Sequence, residues 1–280
     1  MNPVRMLVAL GILYSSQILI ARADTLAWWR LSEETPPVFA QEGGPNLKWW
    51  SDKDEPYVSS TDIPPETLYR AGLNPAGRSF DSEASNGPKD GNLSAQGLAT
   101  EEKDSSFSSL ENGLTIEGFF KGKSGENGTE TQTILSCGDG SVHRVWTVQV
   151  IKGYLTFSLF EEGSLDASFR VECPSDVRDE KWHYFVARFE TGIGGKSGRA
   201  SLIVTSSEEN QKAADNKTSG EPPKRGDVVD TLLVGRSSIY WDTSPEYRGT
   251  IDPFLGKISD IRISRGVLAD DQLLGKIVRK

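Results

Sequence analysis

Alternation of apolar and polar side chains dominates the second half of the chain. Over residues 114–120, Leu114, Ile116 and Phe120 fall on one side and Thr115 and Glu117 on the other, the period-two pattern of a half-buried strand. Residues 145–151 place Trp146, Val148 and Val150 together, Lys152 and Gly153 turn the chain, and residues 154–160 place Leu155, Phe157 and Leu159 together. That arrangement predicts a β-hairpin. Residues 182–189 set Trp182, Tyr184 and Val186 against His183, Phe185 and Phe189. A strand apolar on both faces is expected at the centre of a sheet covered on both sides.

Shorter strands are predicted at 26–31, 133–137, 169–171, 202–204 and 232–234. Residues 254–263 close the series, and Ile258 is out of phase with Ile261 and Ile263, which predicts a β-bulge between them. A short helical turn is expected over 268–274. Residues 35–109 are rich in Pro, Gly, Asn, Asp and Ser and predict long loops joined by short strands. The aromatics scattered among them, Trp49, Trp50, Tyr57 and Phe80, argue against simple disorder. The polar stretch 206–227, with Pro222 and Pro223, reads as a long loop. Many short strands without a long helical period give an all-β fold, an antiparallel two-sheet β-sandwich or jelly roll.

The first 23 residues read differently. Arg5 supplies positive charge, residues 6–20 are mainly apolar, and Ala21, Arg22 and Ala23 form a small-x-small cleavage signal. The expectation is a signal peptide over 1–23, a single domain over 24–280, and a secreted or periplasmic protein. An N-terminal membrane anchor is the competing reading, but the apolar run is short and broken by Ser15, Ser16 and Gln17. No membrane span is expected in the mature chain. The formal net charge of −9 becomes more acidic once Arg5 and Arg22 leave, which argues against nucleic acid and anionic lipid as partners. Cys137 and Cys173 are the only cysteines. In an oxidising compartment an even pair invites a Cys137–Cys173 disulfide, with two buried thiols as the alternative.

Four segments resemble the laminin-G-like, pentraxin-like branch of the concanavalin A-like lectin and glucanase superfamily: 26–31 (LAWWRL), 114–120 (LTIEGFF), 179–187 (DEKWHYFVA) and 254–264 (FLGKISDIRIS). The third is similar to that family's Trp-His strand and the fourth to its closing strand. The dense match covers about 110–273. The resemblance implies two curved antiparallel sheets stacked face to face, with the first and last strands adjacent. It also implies binding of glycans, proteins or steroids on rim loops or the concave face, often with calcium; some branches hydrolyse β-glucans. The segment between Thr35 and Ser109 departs from the family pattern.

The candidate chemistry is sparse. The glucanase branch needs an E-x-D-x-x-E cluster, which would set the acids on one strand face. The nearest approach, Glu102-Lys103-Asp104, has Phe107 where the second Glu should stand. No nucleophile motif accompanies His143 or His183, the only histidines. For calcium, the resemblance implies an acid in the closing strand with groups near the chain start, matched by Asp260 with Glu33 or Glu34; Asp139, between two glycines, is a further candidate.

For carbohydrate, aromatics beside polar groups are required, because a ring stacks on the apolar face of a sugar while amides and carboxylates take its hydroxyls. Tyr240, Trp241, Asp242 and Tyr247 lie in one predicted loop, and Trp49 with Trp50 in another. Asn92, Asn127 and Asn216 open N-x-S/T sequons. The resulting expectation is an exported, non-catalytic binding module for carbohydrate or a glycosylated surface. The alternatives are a protein-interaction or structural envelope module, or a divergent glycosidase.

Overall fold

The computed structural model describes residues 24–51, 56–82, 96–101, 105–124, 131–138, 144–164, 166–192, 195, 197–207, 218–223, 231–236 and 253–277. In chain order the strands are β1 (Asp24–Trp29), β2 (Ala40–Glu42), β3 (Leu47–Ser51), β4 (Ser59–Ser60), β5 (Ser79–Asp81), β6 (Gln96–Thr100), β7 (Leu114–Lys123) and β8 (Thr131–Cys137). They continue with β9 (Trp146–Ile151), β10 (Tyr154–Phe160), β11 (Ala167–Asp176), β12 (Asp179–Thr191), β13 (Gly198–Ser206), β14 (Thr218–Gly220), β15 (Leu232–Val234) and β16 (Gly256–Arg265). Every strand expected from alternation is present, and 3-10 turns occupy Glu66–Leu68, Ser105–Phe107 and Asp270–Gln272.

The strands form two antiparallel sheets, a sandwich. The first runs β14-β13-β12-β7-β16-β1-β2, with β5 and then β4 attached beside β16; the second runs β11-β10-β9-β8-β15-β6-β3. Between them lies one apolar core built from the alternating faces: Leu114, Ile116 and Phe120 of β7 and Phe185 and Phe189 of β12 against Trp146, Val148, Leu155 and Phe157 of β9 and β10. Burial of a side chain of this size stabilises by roughly 1.5–3 kcal/mol. The first strand pairs with the last, β1 with β16, as the resemblance implied.

The expected bulge is in place and has a structural task. The β7–β16 register shifts between Ser259 and Arg262, and Asp260 adopts a left-handed φ of 43°. The extra residue lets Ile258 and Ile261 both point into the core, where each is fully buried. It also marks a change of neighbour: on that edge β16 pairs with β5 at Lys257 and Ile258 and with β1 from Ile261 onward.

The outer face of the first sheet is also covered, which explains why β12 is apolar on both sides. Phe119, Trp182, Tyr184 and Val186 form a second core with Leu68 and Tyr69 and with Leu268, Leu273 and Leu274 from the end of the chain. Glu117, buried beneath this cover, accepts from both Nε and Nη2 of Arg262, from the Tyr184 hydroxyl and from the Leu274 amide. Arg262 also donates to the Gln272 carbonyl at 2.6 Å. One carboxylate thereby fastens the terminal segment to the sheet.

The second sheet differs on the side away from the core, where Thr133, Ser136, Thr147, Gln149, Thr156 and Ser158 are all buried. Gln149 donates to Thr133 at 2.9 Å and accepts from Thr147 at 3.1 Å, so these three satisfy one another, while Ser136 donates to the Arg236 carbonyl and Thr156 to the Tyr154 carbonyl.

The expected Cys137–Cys173 disulfide is not formed, and both residues are buried thiols. Both lie in the second sheet, on β8 and β11, with β9 and β10 between them. Three inter-strand steps of about 4.8 Å put roughly 14 Å between those strands, twice the separation a disulfide tolerates. Register adds to this, because Cys137 is opposite Trp146, Trp146 opposite Leu159 and Leu159 opposite Phe169, four residues short of Cys173. Among the described residues no helix is long and apolar enough to cross a membrane.

Candidate functional site

The candidate site is a corner where β3, at the edge of the second sheet, meets β4 and β5 at the margin of the first. Tyr57 stands two residues before β4. Its ring stacks on Phe80 of β5 at 5.4 Å with an interplanar angle of 6°, and Trp49 of β3 meets both edge-on, at 5.6 Å from Tyr57 and 6.0 Å from Phe80. Phe80 is fully buried, whereas Trp49 and Tyr57 are half-buried at the margin of the core. Aromatic stacking of this kind holds a phenol in one orientation. Gly235 must approach closely here, since a Cβ on it would lie 2.7 Å from the Phe80 ring.

Polar groups complete the corner. Glu33, after β1, accepts from the Phe39 amide at 3.2 Å through Oε1. Its other oxygen, Oε2, and the Tyr57 hydroxyl are both buried without a hydrogen-bond partner among the described residues. Burial first, and then the Glu33 charge, push the Tyr57 phenol above its ordinary value, while Arg78 pulls it down. Arg78 donates from Nη1 to Ser59 at 3.0 Å and from Nη2 to Glu34. A hydroxyl donor, a carboxylate acceptor and a guanidinium thus stand beside half-buried aromatic rings. Buried polar atoms without partners are uncommon and mark positions completed by water or a ligand.

This corner gathers residues that the sequence had placed in different hypotheses. Trp49 is here as a wall, edge-on to Tyr57. Trp50 follows it in β3 and pairs with Gly97 of β6. Glu34 takes the Arg78 guanidinium and Glu33 the Phe39 amide, and neither is among the hydrogen-bond partners of Asp260. Tyr57 and Arg78 were not singled out as site residues, and no spacing signal could have found them. Tyr240, Trp241, Asp242, Tyr247, Asp139, His143, the segment 102–104 and the three sequons lie outside the described residues.

Asp260 has a different role from the calcium ligand the resemblance implied. Fully buried in the bulge of β16, it accepts from the Tyr69 hydroxyl at 2.6 Å, Arg30 Nε at 3.2 Å and Trp28 Nε1 at 3.3 Å. Arg30 also lies over the Trp28 ring at 5.8 Å. A carboxylate surrounded by donors and a guanidinium does not fit a calcium ligand, and among the described residues no three Asp, Glu, His or Cys side chains gather as metal ligands.

His183 is structural, with its Nε2 lying 2.8 Å from Asp179 Oδ1 and its ring stacked on Phe120 at 5.2 Å. Burial lowers its pKa, outweighing the opposing pull of Asp179. Nearby, Asp81, Lys257, Lys121 and Trp182 form a row across four strands. Asp62 bridges that row, accepting from Lys121 at 2.8 Å and from Trp182 Nε1 at 2.9 Å, with Lys257 at 3.7 Å.

No family model matches the chain, and no curated protein matches it. Among solved structures it is similar to the binding domain of botulinum neurotoxin serotype C1, with a TM-score of 0.50 and 12% identity over 88% of this chain and 50% of that one. A serotype D/C binding domain gives a TM-score of 0.50 and 12% identity over 89% of this chain and 50% of that one. The class these likenesses define is an antiparallel two-sheet β-sandwich. The chain spans half the length of those binding domains, and at such identity the likeness concerns the fold.

Proposed function

We propose that this chain is an exported, non-catalytic binding module of laminin-G-like type that recognises carbohydrate. The observation that carries the reading is the corner: a phenol hydroxyl and a carboxylate oxygen without hydrogen-bond partners among the described residues, with Trp49 and Tyr57 half-buried. Sugar recognition uses this pairing of ring and hydrogen-bonding group. The fold shared with proteins described as binding domains supports it. The two most buried carboxylates, Glu117 and Asp260, are held by internal donors, which favours structural over acid–base work. Export rests on the leader-like first 23 residues.

The test is a glycan array and polysaccharide pull-down with the chain lacking residues 1–23, run with and without calcium. Retention that Tyr57→Phe weakens supports the reading. A blank result under both conditions refutes it.

A further inference from the structure

The two sheets end in unequal edges. β2 and β14, which close the first sheet, have three residues each, and β3 has five and is met by Val38 at Leu47. β11 has ten and is the last strand of its sheet among the described residues. A long edge invites a further strand unless something guards it. We infer that β11 pairs antiparallel with β11 of a second copy of this chain, about a two-fold axis at Val171, so that the second sheets of the two copies join edge to edge.

The backbone is oriented for this pairing. Phe160 of β10 gives its amide to Val145, beside β9, and successive residues of a strand bond to alternate sides. Leu159 and Phe157 of β10 therefore bond toward β11, where they stand opposite Phe169 and Val171. The main-chain groups of Arg170 and Glu172 then point the other way, to the side where no further strand of the sheet is described. Phe169, Val171 and Cys173 face the core, which puts the side chains of Arg170 and Glu172 on the outer face. These are 49% and 44% exposed and form an ion pair at 2.5 Å.

Charge selects the register. β11 is regular from Phe169 to Glu172. Within that stretch, an axis at Arg170 or at Glu172 sets like charges against each other, and an axis at Phe169 pairs Arg170 with Ser168, which the β10 register skips. The axis at Val171 sets each Arg170 opposite the other copy's Glu172, so the charges alternate in sign, and each such pair exchanges both its N–H···O bonds. Exposed charges and Pro174, which has no N–H to give, guard this edge against other strands while the charges admit its own copy. The pairing does not depend on the carbohydrate reading.

Sedimentation velocity on the chain lacking residues 1–23, over a wide concentration range, tests the pairing. A concentration-dependent dimer is expected. Arg170→Glu and Glu172→Arg each bring like charges together at both ends of the paired stretch, and each should raise the dissociation constant about tenfold or more. An equimolar mixture of the two variants restores opposite charges throughout and should dimerise as the wild type does, as should the double variant Arg170→Glu/Glu172→Arg. Matched thermal melts show that each variant folds.

A wild-type chain that stays monomeric at every concentration overturns the proposal. A dimer that neither single reversal weakens overturns it too, because the copies then meet elsewhere. So does a mixture that fails to recover the dimer, since the charges would then not stand opposite one another.

Discussion

Replacing Arg262 with alanine removes the cation that faces a buried carboxylate. In the native protein the Arg262 side chain is 11% exposed and that of Glu117 1%. Nε donates to Glu117 Oε1 at 2.7 Å, Nη2 donates to the same oxygen, and Nη2 reaches the Gln272 carbonyl at 2.6 Å. The variant loses all three bonds and strands the Glu117 carboxyl in an apolar layer, where burial raises its pKa, with Tyr184 and Leu274 as its remaining donors. Removing one partner of a buried pair costs about 3–5 kcal/mol, most of it the penalty of the charge left behind.

Urea unfolding followed by tryptophan fluorescence measures the cost. With a slope near 2–3 kcal/mol/M, the midpoint should fall by roughly 1–2 M. The double variant Glu117→Leu/Arg262→Met should recover most of the loss, because it removes the stranded charge as well. A midpoint shift of under about 0.3 M for Arg262→Ala would refute the reasoning, since it would give the pair only the worth of a surface ion pair.

Three further outcomes are expected. Asp62→Asn sets Lys121 and Lys257, directly opposed on adjacent strands, against each other; Asp62 is itself 37% exposed, so the loss should be about 1 kcal/mol or less in a thermal melt. Burial raises the Asp62 pKa, but the bonds from Lys121 and Trp182 and the two lysine charges hold it below its ordinary value. Its contribution is therefore present above the ordinary carboxylate pKa and lost as pH falls through the lower folded value, a slope absent from the Asp62→Asn pH–Tm curve. His183, whose pKa is lowered in the folded state, gives stability that is complete above about pH 6.5 and declines on acidification; His183→Gln should flatten the pH–Tm curve below that point. Finally, a thiol reagent should titrate both cysteines only after unfolding, and reductant should leave the Tm unchanged; a reductant-sensitive Tm would contradict the buried thiols.

Much of the fold was legible because alternation is a local property. A strand's side chains point to opposite faces whatever lies beyond it, so the inward faces of β7, β9, β10 and β12 could be assigned from residues two apart. The phase slip at Ile258 likewise predicted the bulge without reference to any neighbour. The corner was less legible. Its contributors, Glu33, Trp49, Tyr57 and Arg78, lie in the stretch with the weakest periodicity, and its rings meet only because β3, at the edge of the second sheet, comes up against β5 of the first.

The linear chain thus determined the strands, their buried faces and the broad class of fold. Strand order was decided elsewhere, by which apolar faces cover one another at long range, and the positions of the polar groups followed from it. It separated Cys137 and Cys173 by two intervening strands, and it turned Asp260 into the buried hub of a bulge. It also set the Tyr57 ring against Phe80 and Trp49. Alternation states which side of a sheet a residue occupies; only the closed sandwich states what stands across from it.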